Sequence, residues 1–489
     1  MTEHAGRGRR PAAAPRGVRT RPAGNRPARE WLTRTRLTRT WLTRNWHWGL
    51  LSLWTVAWFI DMARGGGIAW VFFRSGTAAL FGESGSFQPP GGLHLYASDP
   101  SLQIGPLSFA VAEVLRHLGP DNGLVVAEVL LTAAGLALIA VIENLARTVR
   151  PELLEHPGAL QLTVLFGGGA FMIAWVNLAV GYLHLDDGLA LILAVLALCA
   201  VVARRPVLAG LCVGLATDAK PWALVFATLL LLVPVRQMWR SAVALLAALA
   251  AAWLPFYLAD PGTMNAAHYT IRNLPTSSLR ALGITAPQTP SWDRPTQVLL
   301  GWALGAAAVW RRRWPAVILL GVGARIALDP GVHGYYTAGI MVGALIWDTI
   351  GVRRPWPVWS LLSIIALGVV PVVTRDPQIL GDARLAIVVA FTAVLLLGPS
   401  GWVWQTGLRP SPAGPAVPGF PAGPVPDPAR PGSPAEPAPD PAPPGPPSGS
   451  AVPGSSSGPA PPSSPSGPAV PGPRTAPAAA GDQRKDPGG

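Results

Sequence analysis

The chain has 489 residues, half of them hydrophobic, only 13% charged and with a mean hydropathy of +0.36, which excludes a set of soluble domains and places it among polytopic membrane proteins. Its formal charge of +13 comes from 38 Lys and Arg against 25 Asp and Glu. These basic residues collect in an N-terminal tail and in short turns between apolar runs, a topology-setting distribution that excludes a nucleic-acid partner.

Residues 1–45 are rich in Arg, Pro, Ala and Thr and contain the short repeat WLTRTRLTRTWLTRNW. This composition predicts a disordered basic cytoplasmic tail that enforces orientation, with an interfacial segment on the inner leaflet as the alternative. No cleavable signal sequence is expected, because the first apolar run follows this long tail without a small-residue cleavage site. Residues 409–489 turn to Pro, Gly, Ser and Ala, which cannot bury enough surface to order, and are expected to form a second disordered cytoplasmic tail. Residues 46–408 between them form the membrane domain. Cys199 and Cys212 lie inside apolar runs and are read as small hydrophobes.

In chain order, about twelve runs are expected to cross the membrane. The first six are Trp46–Met62, Leu124–Leu145, Leu160–Val180, Leu189–Ala203, Val207–Thr217 and Trp222–Val235. The others are Ala242–Leu258, Thr296–Trp310, Pro315–Leu328, Tyr335–Ile350, Val358–Val373 and Leu385–Val403. With both termini cytoplasmic, Arg147 and Arg150, Arg204 and Arg205, Arg236 and Arg240, Arg311 to Arg313, and Arg353 and Arg354 all fall inside, as the positive-inside rule requires. That parity requires Gly65 to Asn122 to stay outside, so Ile68–Leu80 and Ile104–Leu118 are expected to lie along the outer surface, as their Arg74, Glu113, Arg116 and His117 favour.

The outer breaks then hold the polar residues: Asp61, Tyr96 and Asp99; His184, Asp186 and Asp187; Asp218 and Lys220; His268, Tyr269 and Arg272; and Asp329, His333, Tyr335 and Tyr336. Acids, bases and cations thus gather on the side away from nucleotide sugars, where a substrate must arrive through the lipid. Asp61 ends the first helix, where a carboxylate can accept a proton from a hydroxyl at the surface or simply mark the interface. Asp186 and Asp187 open a helix and suit its dipole. With His184 they are also candidates for a divalent metal or for sugar hydroxyls, and no cofactor is assigned beyond that option. Lys220 before Pro221 is placed to hold a phosphate oxygen, or to snorkel. In the loop from Ala259 to Pro295, His268, Arg272 and their aromatic neighbours suit a phosphate and a sugar face, or a solvated loop. The pair Arg325 and Asp329 is spaced i, i+4 and reads as structural.

Several motifs resemble polyprenol-phosphate-dependent membrane glycosyltransferases of the GT-C superfamily, most of all glycosyltransferase family 87, which contains actinobacterial mannosyltransferases. Asp61, IAWVFFRSGTAALFG, Tyr96 and SDPSLQIGPLS resemble the family's first outer loop, and GYLHLDDGLALILA its Gly-Gln or Gly-His element. AGLCVGLATDAKPW matches the AGxxxGLAxxxKP element, and His333 with Tyr335 and Tyr336 is similar to a late HxYY-like element. The chain departs from the family where a YPP triplet is expected, since Gln103, Ile104 and Gly105 precede Pro106.

The resemblance implies an all-α, GT-C-like membrane domain with juxtamembrane helices in the first outer loop. It implies a hexosyltransferase in the cell membrane that moves a hexose such as mannose from a polyprenyl-phosphate donor to a lipid or cell-envelope acceptor, with inversion. Asp61 would be the catalytic base, Lys220 a contact of the phosphate, and His184 and Asp186 neighbours of the sugar or acceptor. A transporter or flippase of a lipid-linked sugar is the alternative, although no internal repeat between the halves is evident. A third alternative is a non-catalytic scaffold whose tails recruit partners.

Overall fold

The computed structural model describes residues 45–82, 91–119, 123–155, 157–331 and 333–399. Both expected tails and the end of the last expected span, 400–403, lie outside the described residues. The chain is all-helical, with 80% helix and no strand among the described residues. Its α-helices are α1 (45–62), α2 (Trp70–Phe81), α3 (Leu95–Ser98), α4 (Pro106–Arg116), α5 (Leu124–Val149), α6 (Pro157–Val176), α7 (Leu185–Val202) and α8 (Pro206–Ala219). They continue with α9 (Val235–Ala259), α10 (Ser278–Ala281), α11 (Asp293–Trp310), α12 (Val317–Leu328), α13 (Tyr336–Ile346), α14 (Val358–Ile364), α15 (Val370–Val373) and α16 (Pro377–Leu397).

Among the described residues, five helical segments are long and apolar enough to cross a membrane: Leu124–Val149, Pro157–Tyr182, Leu185–Val202, Val235–Ala259 and Pro377–Leu397. Shorter apolar helices cover Pro206–Ala219, Pro221–Leu232, Trp314–Leu328 and Val358–Val373. Proline accounts for one break. Pro221 cannot continue α8, Lys220 before it turns extended, and Pro221–Leu232 winds on as a 3₁₀ helix. The two stretches expected on the outer surface form α2 and α4, of 12 and 11 residues, too short at ~1.5 Å per residue to cross a hydrocarbon core.

Burial sorts the helices into centre and periphery. Every residue of α12 and of Thr337–Ile346 in α13 is buried, so these two form the centre. Only 11% of the apolar window of Val235–Ala259 is buried, and its Leu246, Leu254 and Leu258 are exposed, a pattern suited to lipid. Helices α7, α8 and α9 pack in succession, and α8 meets α9 through small residues. A Cβ on Gly210 would lie 2.0 Å from the Ser241 carbonyl oxygen, and one on Gly214 would lie 2.6 Å from the Ala248 Cβ. This is the close backbone approach that glycines four apart permit between membrane helices.

Candidate functional site

The connection from α1 to α2 is fastened to the segment that carries His184. Gly67 N–H donates to the Val180 carbonyl at 2.7 Å and Ala69 N–H to the Tyr182 carbonyl at 2.8 Å. Asn177–Tyr182 continues α6 as a π-turn, a feature common at functional sites. Leu183 follows it in the left-handed region at φ 53°, fully buried, a conformation that costs an aliphatic residue on the order of 1–3 kcal/mol. Packing holds it there, and His184 and the first turn of α7 are aimed inward as a result.

Asp186 and Asp187 open α7 as expected, yet neither side chain caps the helix. Asp186 is fully buried and accepts a hydrogen bond from the Lys220 ammonium. Its Oδ1 lies 3.3 Å from His184 Nδ1. Asp187 Oδ1 accepts from Arg325 Nη1 at 2.8 Å and from Trp222 Nε1 at 2.9 Å. The Arg325 guanidinium lies over the rings of Trp222 and Tyr336, at 4.3 and 4.2 Å from their centroids, and its Nε reaches Asp329 Oδ2 at 3.4 Å. His184 stacks on Tyr335 at 3.7 Å between centroids, and His333 stacks on Tyr335 at 5.2 Å. Helices α7, α12 and α13 and the Lys220 turn therefore converge on one buried network of alternating charge.

Two cavities adjoin this network. The more polar of the two, of about 460 Å³, has a mixed wall on which Lys220, Asp293, Arg294, Arg325 and His333 stand beside Trp222, Ile271 and Val298. An apolar one of about 430 Å³ is lined by Val71, Phe72, Leu95, Leu102 and Ile104, with Asp99 and Ser101 also on its wall. Lys220, Gln103 and Ile271 line both, so the ammonium stands where a polar space meets an apolar one.

His184, Asp186 and Asp187 bring one ligand atom each within 4.8 Å of one another, a spacing a divalent cation would accept. The cationic places are already filled, however, since Lys220 holds Asp186 and Arg325 holds Asp187. Of these three residues, only Asp187 has a buried oxygen, Oδ2, without a hydrogen-bond partner, so a metal would have to displace the ammonium from Asp186. The donor set favours the internal cations.

The other sequence-selected residues are dispersed. Asp61 is exposed at the end of α1 and lines neither cavity, while its neighbour Met62 places Sδ against Gly181. Tyr96 is fully buried, donates its hydroxyl to the Ile104 carbonyl at 2.8 Å and packs on Trp253 and Phe256. Burial, with the Asp218 charge second, raises the Tyr96 phenol well above its ordinary value, so it is a fixed donor that shapes the apolar groove. Asp99 accepts from Ser101 N–H at 3.1 Å. His268, which ends the 3₁₀ helix Pro261–His268, and Arg272 line neither cavity, whereas Tyr269 and Ile271 in the extended segment after that helix do.

On α4, Glu113 is lowered mainly by its hydrogen bond from Arg116, which marks it as a structural pair. Trp222, Asp293 and Gln103 complete the site without having been given a role in the sequence reading. Trp222 ends the AGLCVGLATDAKPW element, two residues after Lys220, and Gln103 opens the departure before Pro106, while Asp293 carries no local signal. No family model, curated protein or solved structure matches the chain.

Proposed function

We propose that the chain is a multi-pass cell-membrane hexosyltransferase that moves a hexose such as mannose from a polyprenyl-phosphate donor to a lipid or cell-envelope acceptor on the outer face. The observation that carries this reading is Lys220 at the junction of a polar and an apolar cavity. A polyprenyl-phosphate sugar has the same division: an isoprenoid chain, an anionic phosphate and a polar sugar joined in that order. The chain would lie against Val71, Phe72 and Leu95, the phosphate would sit at the ammonium, and the sugar would fill the polar cavity, whose volume falls in the range of ~300–1,000 Å³ usual for ligand sites.

In the reaction, Asp61 takes the proton from the acceptor hydroxyl, the oxygen attacks the anomeric carbon, and the bond from that carbon to the phosphate oxygen breaks. The configuration inverts, and the lipid phosphate leaves beside Lys220. Asp61 lines neither cavity, so the base assignment rests on the resemblance and is what Asp61→Asn decides. The full topology of this reading has about twelve crossings in a GT-C-like arrangement, with the shorter apolar helices completing the bundle and both termini cytoplasmic.

Transfer of labelled sugar from polyprenyl-phosphate-mannose, -glucose or -galactose into membrane lipids or glycans tests the proposal. The wild-type chain is expected to support transfer from at least one donor, with loss in Asp61→Asn. Transfer unaffected by Asp61→Asn removes the base, and counterflow of a lipid-linked sugar in proteoliposomes without acceptor would favour a flippase instead.

A further inference from the structure

Two carboxylates line the polar cavity, Asp293 and Asp329, and they differ in what is left open. Asp329 is spoken for on both oxygens, with Oδ1 accepting from Gly331 N–H at 2.7 Å and Oδ2 facing Arg325 Nε at 3.4 Å. Asp293 Oδ2 accepts from the Gln297 amide at 2.8 Å, one turn along α11. Its Oδ1 has no partner, although the residue is fully buried. Buried carboxylate oxygens are nearly always hydrogen-bonded, so an unpartnered one on a residue that lines a cavity points to a donor supplied by a ligand.

The chemistry of that donor is constrained. A carboxylate repels phosphate, and it accepts hydrogen bonds from neutral hydroxyls. The cations on the same wall, Lys220, Arg294 and Arg325, are the groups suited to the anionic part. The cavity therefore offers separate acceptors and donors for the two halves of one molecule. Given the donor class proposed above, on which this step rests, we infer that Asp293 Oδ1 accepts a hydrogen bond from a hydroxyl of the donor's sugar, with Gln297 fixing the carboxylate. Asp293 is then a sugar-specificity residue that the phosphate does not touch.

The test measures binding of four lipids to the full chain in nanodiscs: bare polyprenyl phosphate and its mannose, glucose and galactose conjugates. Wild type is expected to bind at least one conjugate about tenfold more tightly than the bare phosphate, since a hydroxyl matched to a buried acceptor discriminates at least this well. Asp293→Leu should abolish that preference and leave bare-phosphate affinity within about twofold, while Asp293→Asn, which keeps the side-chain shape, should weaken the preference. Lys220→Met should weaken all four lipids. A preference retained in Asp293→Asn and Asp293→Leu overturns the assignment and leaves the donor class standing. If Asp293→Leu does not fold, an unchanged preference in Asp293→Asn alone overturns it. Wild-type binding of bare phosphate with no preference also overturns the assignment. Failure of wild type to bind any of the four lipids overturns both the assignment and the donor class.

Discussion

Lys220 and Asp186 hold each other in place: the ammonium is the ion-pair partner of a fully buried carboxylate, and that carboxylate keeps the ammonium facing the cavities. Removing one member strands the other. Lys220→Met is therefore expected to destabilise the protein by about 3–5 kcal/mol in detergent, and Lys220→Met with Asp186→Leu should recover much of that loss, as read by thermal unfolding. A single substitution as stable as wild type would mean that the pair is not coupled.

His333 gives a pH signature. Partial desolvation, with His184 and Arg325 next, lowers its imidazole to about 4 although the residue keeps an exposed edge. The unfolded chain takes up this proton near pH ~6.5, so the contribution is fully present above that value and is lost as pH falls toward about 4. His333→Gln should flatten the fall in melting temperature across that window. An unchanged pH profile would place the titration elsewhere.

Among the elements, the turn Asp218–Ala219–Lys220 is positioned by close backbone contacts. Gly105 N–H donates to the Ala219 carbonyl at 3.1 Å, Ser108 Oγ donates to the same carbonyl at 3.0 Å, and a Cβ on Gly105 would lie 1.6 Å from the Asp218 carbonyl oxygen. Gly105→Ala must push this turn away, and Gly210→Val must part α8 from α9. Each is expected to cost about 1–3 kcal/mol in thermal unfolding. Gly105→Ala should also weaken polyprenyl-phosphate binding by moving Lys220, and normal binding in that variant would contradict the link.

These contacts also explain what could be read from the sequence. Composition and apolar runs place the helices, and charged residues flanking Pro221 and opening α7 reveal Lys220, Asp186 and Asp187. The departure at Gln103 to Gly105 looked like a lost motif, and it is the segment that seats the Lys220 turn. Asp293 joins the site only through long-range packing, which no local pattern carries. His268 and Arg272 stood out by chemistry, but His268 ends a 3₁₀ helix and Arg272 follows Ile271 in an extended segment, and it is Tyr269 and Ile271 that line the cavities.

Over the whole molecule, buried central helices α12 and α13 and exposed apolar peripheral ones describe a bundle whose solvent is lipid. The proposed orientation puts the Arg-rich turns inside and the two cavities outside. An impermeant maleimide applied from outside should label a cysteine at His268→Cys in intact cells, and should label Arg236→Cys only after permeabilisation. The reverse pattern would invert the topology and remove the supply of substrate through the outer leaflet.

The most direct test of the account asks whether one lipid-linked sugar spans both cavities across Lys220. A polyprenyl-phosphate-mannose bearing a diazirine on its first isoprene unit is photolysed with the full chain in nanodiscs, and labelled peptides are mapped by mass spectrometry. The account predicts label on Val71, Phe72, Leu95 and Ile271, competed by unlabelled donor and lost in Lys220→Met. Label spread along the lipid-facing surfaces of α9 and α16, indifferent to competitor and to Lys220, would contradict it.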